Sequence, residues 1–382
     1  MDTLAAAKLI TREPRYQRLV ADWQALWDLE EAPLARWLLS TAPALLPIYT
    51  GRYPLTKYFY SKEMQLQAEL ETLAWRDMLD IDDMFVPHVQ PYGGVTVFAS
   101  AFGCEVEFSE HTQPWAHPVI EGDDPAEKVY DLPRPSVTDG QLGQMLKIND
   151  YLVQQTGGRY PVAITDMQGP MDTAYLIWDS TAFMMGMYDH PKEVHHLMRL
   201  VTDLIIDFVK EQRAGAPEFC ACHYPPLWLP DGMGIAISED VLAVLSPRTY
   251  EEFALPYVNE LSEEFGGVYI HSCGNFAHQF KVLERVHNLR GLNFGASETP
   301  FEPVWDRFNG KTVIAPHLGL NKEIPFKSRL DYIEHILRVK THNRGLIIVV
   351  SILEPGQNRP EVDPVSVKAF AGEVSRLLAR YP

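Results

Sequence analysis

The sequence predicts an α/β protein, a (β/α)8 TIM barrel with additional N-terminal helices. Short, uncharged, strand-forming runs recur at residues 160–165, 219–222, 268–271, 291–294, 312–315 and 346–350. Stretches with apolar residues at helical spacing separate most of them, and repeated strand-then-helix units argue for a parallel sheet. A chain of 382 residues, 46% of them hydrophobic, can bury one large core, and so many units in one chain favour a closed barrel over an open sheet.

Taken in order, the chain opens with Leu19, Trp23, Leu26 and Trp27 at helical spacing, an amphipathic helix covering the outside of the core. A turn follows at Gly51-Arg-Tyr-Pro54, where Arg52 is a cation beside aromatic residues. Roughly Lys62 to Asp80 is a second helix, with Leu66, Leu70 and Leu73 on one face. Residues 1–80 therefore read as a helical segment packed on a barrel of residues 81–382, the whole forming one domain. Asp83 to Val89 and Val95 to Ala99 read as strands, and Ala101 to Glu107 as the continuation of a hairpin. Residues 123–140, rich in Pro, Asp and Ser, form a loop.

A long helix is expected from about Pro191 to Arg213, burying Val194, Leu197, Val201, Leu204, Ile205 and Phe208 and leaving His195 and His196 at the surface. Ser246 as N-cap and Pro247 at the first helical position start another helix. Phe253, Tyr257, Leu261 and Phe265 form its apolar stripe, which Pro256 should bend.

Composition narrows the function. With 51 acidic against 33 basic residues the formal charge is −18, and no Lys or Arg run follows a phosphate backbone, so nucleic acid is excluded as a partner. No apolar run approaches ~20 residues and the opening has no leader pattern, so a cytoplasmic protein off the membrane is expected. Cys104, Cys220, Cys222 and Cys273 are too few and scattered for a disulfide framework. No Gly-rich phosphate loop or serine-nucleophile elbow is present.

The chemistry is expected where the strands end, because a parallel barrel builds its site from the residues just after them. Those residues are Asp166 and Gln168; Cys220, Cys222 and His223; Glu239 and Asp240; His271 and Cys273; Ser297 and Glu298; His317; and Glu354. Gly266-Gly-Val-Tyr-Ile-His-Ser-Cys-Gly-Asn275 stands out among them. Val268, Tyr269 and Ile270 form a strand that Gly274-Asn275 stops, and residues two apart on a strand share a face. His271 and Cys273 thus point the same way, as two ligands of one borderline-soft ion would. Asp166, Asp240 and Glu298 read equally well as helix caps or loop anchors, and at least one of Cys220 and Cys222 packs.

Asp166-Met-Gln-Gly-Pro170, Leu245-Ser-Pro-Arg-Thr-Tyr-Glu-Glu-Phe253, His271-Ser-Cys-Gly-Asn275 and the late strand followed by Glu354-Pro-Gly resemble the uroporphyrinogen decarboxylase superfamily, which includes zinc-dependent corrinoid methyltransferases. The resemblance runs from about residue 80 to the C-terminus and implies a single TIM barrel. The decarboxylase branch is marked by an arginine-rich N-terminal segment, echoed here only in Gly51-Arg-Tyr53. The methyltransferase branch is similar in its His-x-Cys with a later cysteine, where this chain offers Glu354.

The resemblance implies zinc on His271, Cys273 and Glu354, and transfer of a methyl group between a methyl-corrinoid on a partner protein and a thiol. Asp166, Asp240, Glu298, His271 and His317 would be catalytic, with Arg52, Gln168 and Glu239 binding the small-molecule substrate. Two alternatives are a metal-free decarboxylase or related lyase, in which an Asp stabilises a cationic intermediate and a His moves the proton, and a non-enzymatic binding relative. A homodimer is expected, as large barrels commonly pair.

Overall fold

Each apolar run becomes a strand because it can bury both faces, one against the barrel interior and one against the surrounding helices. The computed structural model describes residues 14–40, 53–110, 112–122, 126–318, 325–351 and 363–382. Its strands are β1 (Arg36–Ser40), β2 (Glu105–Glu107), β3 (Trp115–His117), β4 (Val162–Ala163), β5 (Phe219–Cys220), β6 (Ile235–Ser238), β7 (Val268–Ser272), β8 (Leu289–Gly295), β9 (Val313–His317) and β10 (Ile347–Ser351).

Parallel pairing runs through β6, β7, β8 and β9 in that order, and β10 pairs in parallel with β1. A bridge between Ile314 and Leu346 joins β9 to β10. Met84 N donates to Trp37 O, bringing residues 84–89 beside β1, and Val89 bridges Val162 of β4; the strand expected over Asp83 to Val89 is reduced to these two contacts. β4 pairs with β5, and Ala236 N of β6 donates to Ala221 O, which closes the ring. No helix separates β5 from β6. Above the short β5, Ser238 of β6 reaches Met167 and Gln168 directly, so β5 and β6 share one position and the fold is a (β/α)8 barrel.

The N-terminal helix, Pro14–Trp27, buries Trp23 and Trp27. Their indole N–H groups donate to Met84 O and Trp228 O, both at 2.8 Å, and Trp27 meets the Tyr269 ring edge-on at 5.9 Å. About 200 Å² of ring surface per indole, at ~25 cal/mol per Å², stabilises this docking by at most about 5 kcal/mol each. The helix Lys62–Leu79 starts at Ser61, whose hydroxyl accepts from Met64 N, and buries Leu66, Leu70 and Leu73. Within it Arg76 pairs with Asp83 at 2.6 Å, both side chains sealed from solvent, and Asp83 also accepts from Leu39 N of β1.

Several expectations are met locally. The helix Pro191–Ala214 buries all six of the residues expected on its inner face, with Met198 and Val209 beside them, and Ser246 caps its helix through Thr249 N. Pro256 interrupts the stripe, which divides into Pro247–Phe253 and Leu255–Phe265. His195 is half-buried instead of lying at the surface: it stacks on Phe253 at 4.8 Å and shares a hydrogen bond with the Tyr257 hydroxyl at 3.0 Å.

Other expectations fail, and Ala126–Asp131 within the expected loop forms a 3-10 helix. Val95 to Ala99 is not a strand; Val97–Ala101 is a short helix, buried on every side, and an apolar run buried all round gives no periodicity to separate helix from strand. Residues 1–80 are not only helical packing, because Arg36–Ser40 is a barrel strand whose three middle residues are buried against β10. The hairpin expected from Val95–Ala99 into Ala101–Glu107 does not form either; Glu105–Glu107 instead pairs antiparallel with Trp115–His117, as β2 with β3. Among the described residues no helix is long and apolar enough to cross a membrane.

Candidate functional site

His271 lies near the end of β7, Cys273 follows it, and Asp240 opens the turn after β6, the strand paired with β7. Cys273 Sγ is 3.5 Å from His271 Nε2, and Asp240 Oδ1 is 3.9 Å from the same nitrogen. One ligand atom from each residue falls within 4.8 Å of the others. Nitrogen, sulfur and carboxylate donors converging in this way are a donor set for a borderline-soft divalent ion.

Backbone contacts hold the cluster. Cys273 N donates to Asp240 Oδ1 at 2.7 Å, and Gly274 N donates to Glu298 Oε2 at 2.9 Å, so two carboxylates pin the turn that carries the thiol. Asp240 N and Val241 N in turn donate to the two oxygens of Asp172, at 2.6 and 2.9 Å. Desolvation, then the Asp240 and Glu298 carboxylates, push the Cys273 thiol well above its usual range, so without a cation it stays protonated.

Further buried groups surround the cluster. Asp166 Oδ1 accepts from Gln168 Nε2 at 3.0 Å and lies 3.9 Å from His223 Nε2. Burial raises the Asp166 carboxyl to about 6, against hydrogen bonds from Gln168 and Tyr92 that lower it. His223 Nε2 also meets Ser238 Oγ at 2.9 Å. His317, at the end of β9, has its ring 5.7 Å from that of His271, and Tyr224 stands edge-on to both, at 4.9 Å from His271 and 6.0 Å from His317. Burial, then the neighbouring His271, lower His223 and His317 to about 3, leaving both imidazoles neutral.

The structure thus gathers Asp240, His271 and Cys273, with Glu298 beside them and Asp166, Gln168 and His317 around the same strand ends. Glu239 does not belong with a substrate-facing set. It is fully buried, accepts from Met171 N at 3.4 Å, and is raised well above the usual range by burial and by Asp172. Arg52 and Glu354 lie outside the described residues. The third donor among the described residues is Asp240, read from the sequence as catalytic rather than metal-binding.

Four residues were missed or given no role. His223 stood among the strand ends without one, and Tyr224 beside it had no signal. Asp172 was discoverable as an acid in the first turn of the helix Pro170–Ile177, directly after a strand end. Asn293 was discoverable as a polar residue between Leu292 and Phe294 in a buried strand.

Fold and site together define a (β/α)8-barrel protein with its titratable groups concentrated at the C-terminal ends of the strands. Residues 60–313 match the uroporphyrinogen decarboxylase (URO-D) family, and the chain belongs to that family. Uroporphyrinogen decarboxylases from Xanthomonas campestris pv. campestris strains B100 and 8004 are each 22% identical over 241 residues, 60% of this chain and 59% of theirs. The chain therefore spans less than two thirds of the length of these relatives. Among solved structures, a methyltransferase from Methanosarcina mazei shares the fold with a TM-score of 0.68 at 14% identity, over 94% of this chain and 99% of that one. A B12-independent methionine synthase from Shewanella sp. W3-18-1 in complex with selenomethionine aligns with a TM-score of 0.46 at 13% identity, over 83% and 87%.

Proposed function

We propose that this chain is a zinc-dependent methyltransferase that moves a methyl group from a methyl-corrinoid on a partner protein to a small thiol. The observation that carries the reading is the convergence of His271 Nε2, Cys273 Sγ and an Asp240 oxygen. Zinc bonds of about 2.0–2.3 Å at tetrahedral angles need donors about 3.4–3.6 Å apart. The 3.5 Å from sulfur to nitrogen meets this, and the 3.9 Å from nitrogen to oxygen needs only a small rotation of Asp240. The residues present therefore fit the ion. A relative of the same fold that bears the name methyltransferase lends further support.

Bound there, zinc would lower the proton affinity of a substrate thiol, whose ordinary pKa of about 8.5 leaves it mostly protonated at neutral pH. The protein does the rest. Asp240 and Glu298 fix the backbone of Cys273 and Gly274 through their N–H groups. Asp166, its carboxyl raised by burial to about 6, is the acceptor for the released proton, with a neutral His223 beside it. Neutral His317 and the Tyr224 ring pack beside His271.

The rival reading is a metal-free lyase of the decarboxylase type, favoured by the names of the Xanthomonas relatives and by the raised Asp166 carboxyl. Against it, the carboxyls of Asp166, Asp240 and Glu298 stand at the strand ends, a poor setting for a polycarboxylate substrate. Metal analysis and methyl transfer from free methylcobalamin to small thiols decide between them. The expected result is about one zinc per chain, sharply reduced in Cys273→Ser and Asp240→Asn, with thioether product from the wild type alone. Metal-free wild-type protein that releases carbon dioxide from a carboxylated substrate would move the lyase ahead, and neither activity would leave a binding protein.

A further inference from the structure

The side chain of Asn293 lies between two strands and decides the state of a third residue. Asn293 sits on β8, fully buried, in register with His271 of β7 on one side and Ala315 of β9 on the other. Its Nδ2 donates to the Ala315 carbonyl oxygen, and its Oδ1 lies 2.6 Å from His271 Nδ1.

A carbonyl oxygen only accepts, so Ala315 fixes which end of the amide faces it. Turning the amide over would set Oδ1 against Ala315 O and leave two acceptors facing each other out of reach of water, at a cost of at least one buried hydrogen bond. With Oδ1 thereby held toward His271, the ring nitrogen opposite must carry the proton, and Nδ1–H donates to Oδ1. A neutral imidazole then has its lone pair on Nε2, the nitrogen 3.5 Å from Cys273 Sγ and 3.9 Å from Asp240 Oδ1. A thiol donating from Cys273 requires the same bare nitrogen.

We infer that Asn293 is the positioning residue that commits His271 to its Nδ1–H tautomer and so turns the Nε2 lone pair toward Cys273 and Asp240. The amide acts through hydrogen-bond geometry alone and touches neither substrate nor ion. Histidine ligands characteristically have their second nitrogen occupied by an acceptor, which sets both ring orientation and basicity. In this chain a neutral amide supplies that acceptor, anchored by a neighbouring strand. No buried charge is added to a region that already holds Asp166, Asp172 and Glu239.

The inference rests on the metal-site reading for its purpose but is tested apart from it. Full-length protein labelled with ¹⁵N-histidine and stripped of metal is examined by long-range nitrogen–proton correlation at about pH 8, above the ordinary imidazole range. The His271 signals are assigned by their loss in His271→Gln. The expected result is a protonated Nδ1 and a bare Nε2 in the wild type, and a mixed or reversed tautomer in Asn293→Leu. Zinc titration of the same proteins should show about 10–100-fold weaker binding in Asn293→Leu. An Nε2–H tautomer in the wild type, or an unchanged tautomer in a folded Asn293→Leu, overturns the inference. If Asn293→Leu does not fold, the wild-type spectrum decides by itself. If zinc binds neither protein the metal reading fails, and the tautomer still decides the role of Asn293.

Discussion

Asp166→Asn should make the protein more stable and less active at the same time. The Asp166 side chain is about nine-tenths enclosed, and its carboxyl is raised from 3.8 to about 6, chiefly by burial. At about 1.4 kcal/mol per pH unit, that span corresponds to about 3 kcal/mol. Because the folded pKa is the higher one, the folded state holds the proton more tightly. Below 3.8 both states are protonated and the residue costs nothing. Stability falls as pH rises from 3.8 to about 6 and is lower by the full amount above it.

Asparagine keeps an oxygen for Gln168 Nε2 and has no charge to desolvate. Relative to the wild type, Asp166→Asn is expected to gain up to about 3 kcal/mol at pH 8 and close to nothing at pH 3.5, with the gain appearing between those values. Urea unfolding of both proteins across that range, compared pairwise so that other acid effects cancel, measures the difference. Turnover should drop, since the group that titrates near neutrality is gone. A destabilised Asp166→Asn at pH 8, or a difference that does not vary with pH, would refute the assignment of burial as the cause.

Two further substitutions test how the barrel supports the site. Arg76→Ala is expected to lower stability by about 3–5 kcal/mol, because it strands the Asp83 carboxylate, which is 1% exposed and holds Leu39 N of β1; calorimetry or denaturant unfolding reads the loss, and a change under about 1 kcal/mol would contradict it. Gly169→Ala has room in its backbone, with φ at −69°, but its new Cβ would fall 2.0 Å from Glu239 Oε1. Moving that buried carboxyl should cost about 1–3 kcal/mol and disturb the start of the helix Pro170–Ile177, visible as faster amide exchange at Met171 and Thr173.

The sequence was enough, by itself, for whatever depends on neighbours along the chain. Period two placed His271 and Cys273 on one face of one strand end, and the structure brings their ligand atoms to 3.5 Å. Helical spacing gave the buried face of Pro191–Ala214, and Ser246-Pro247 gave a helix start. Repetition of strand and helix was enough for the barrel. The tertiary structure decided which residue from another strand joins that pair. Asp240 and Cys273 are 33 residues apart and meet because β6 lies beside β7, a neighbour relation that no local periodicity encodes. Asn293 reaches His271 and Ala315 for the same reason, across three adjacent strands. Arg36–Ser40 became a barrel strand only through its pairing with β10, more than 300 residues along the chain, since five mostly apolar residues serve a helix or a strand equally well until their backbone groups find partners.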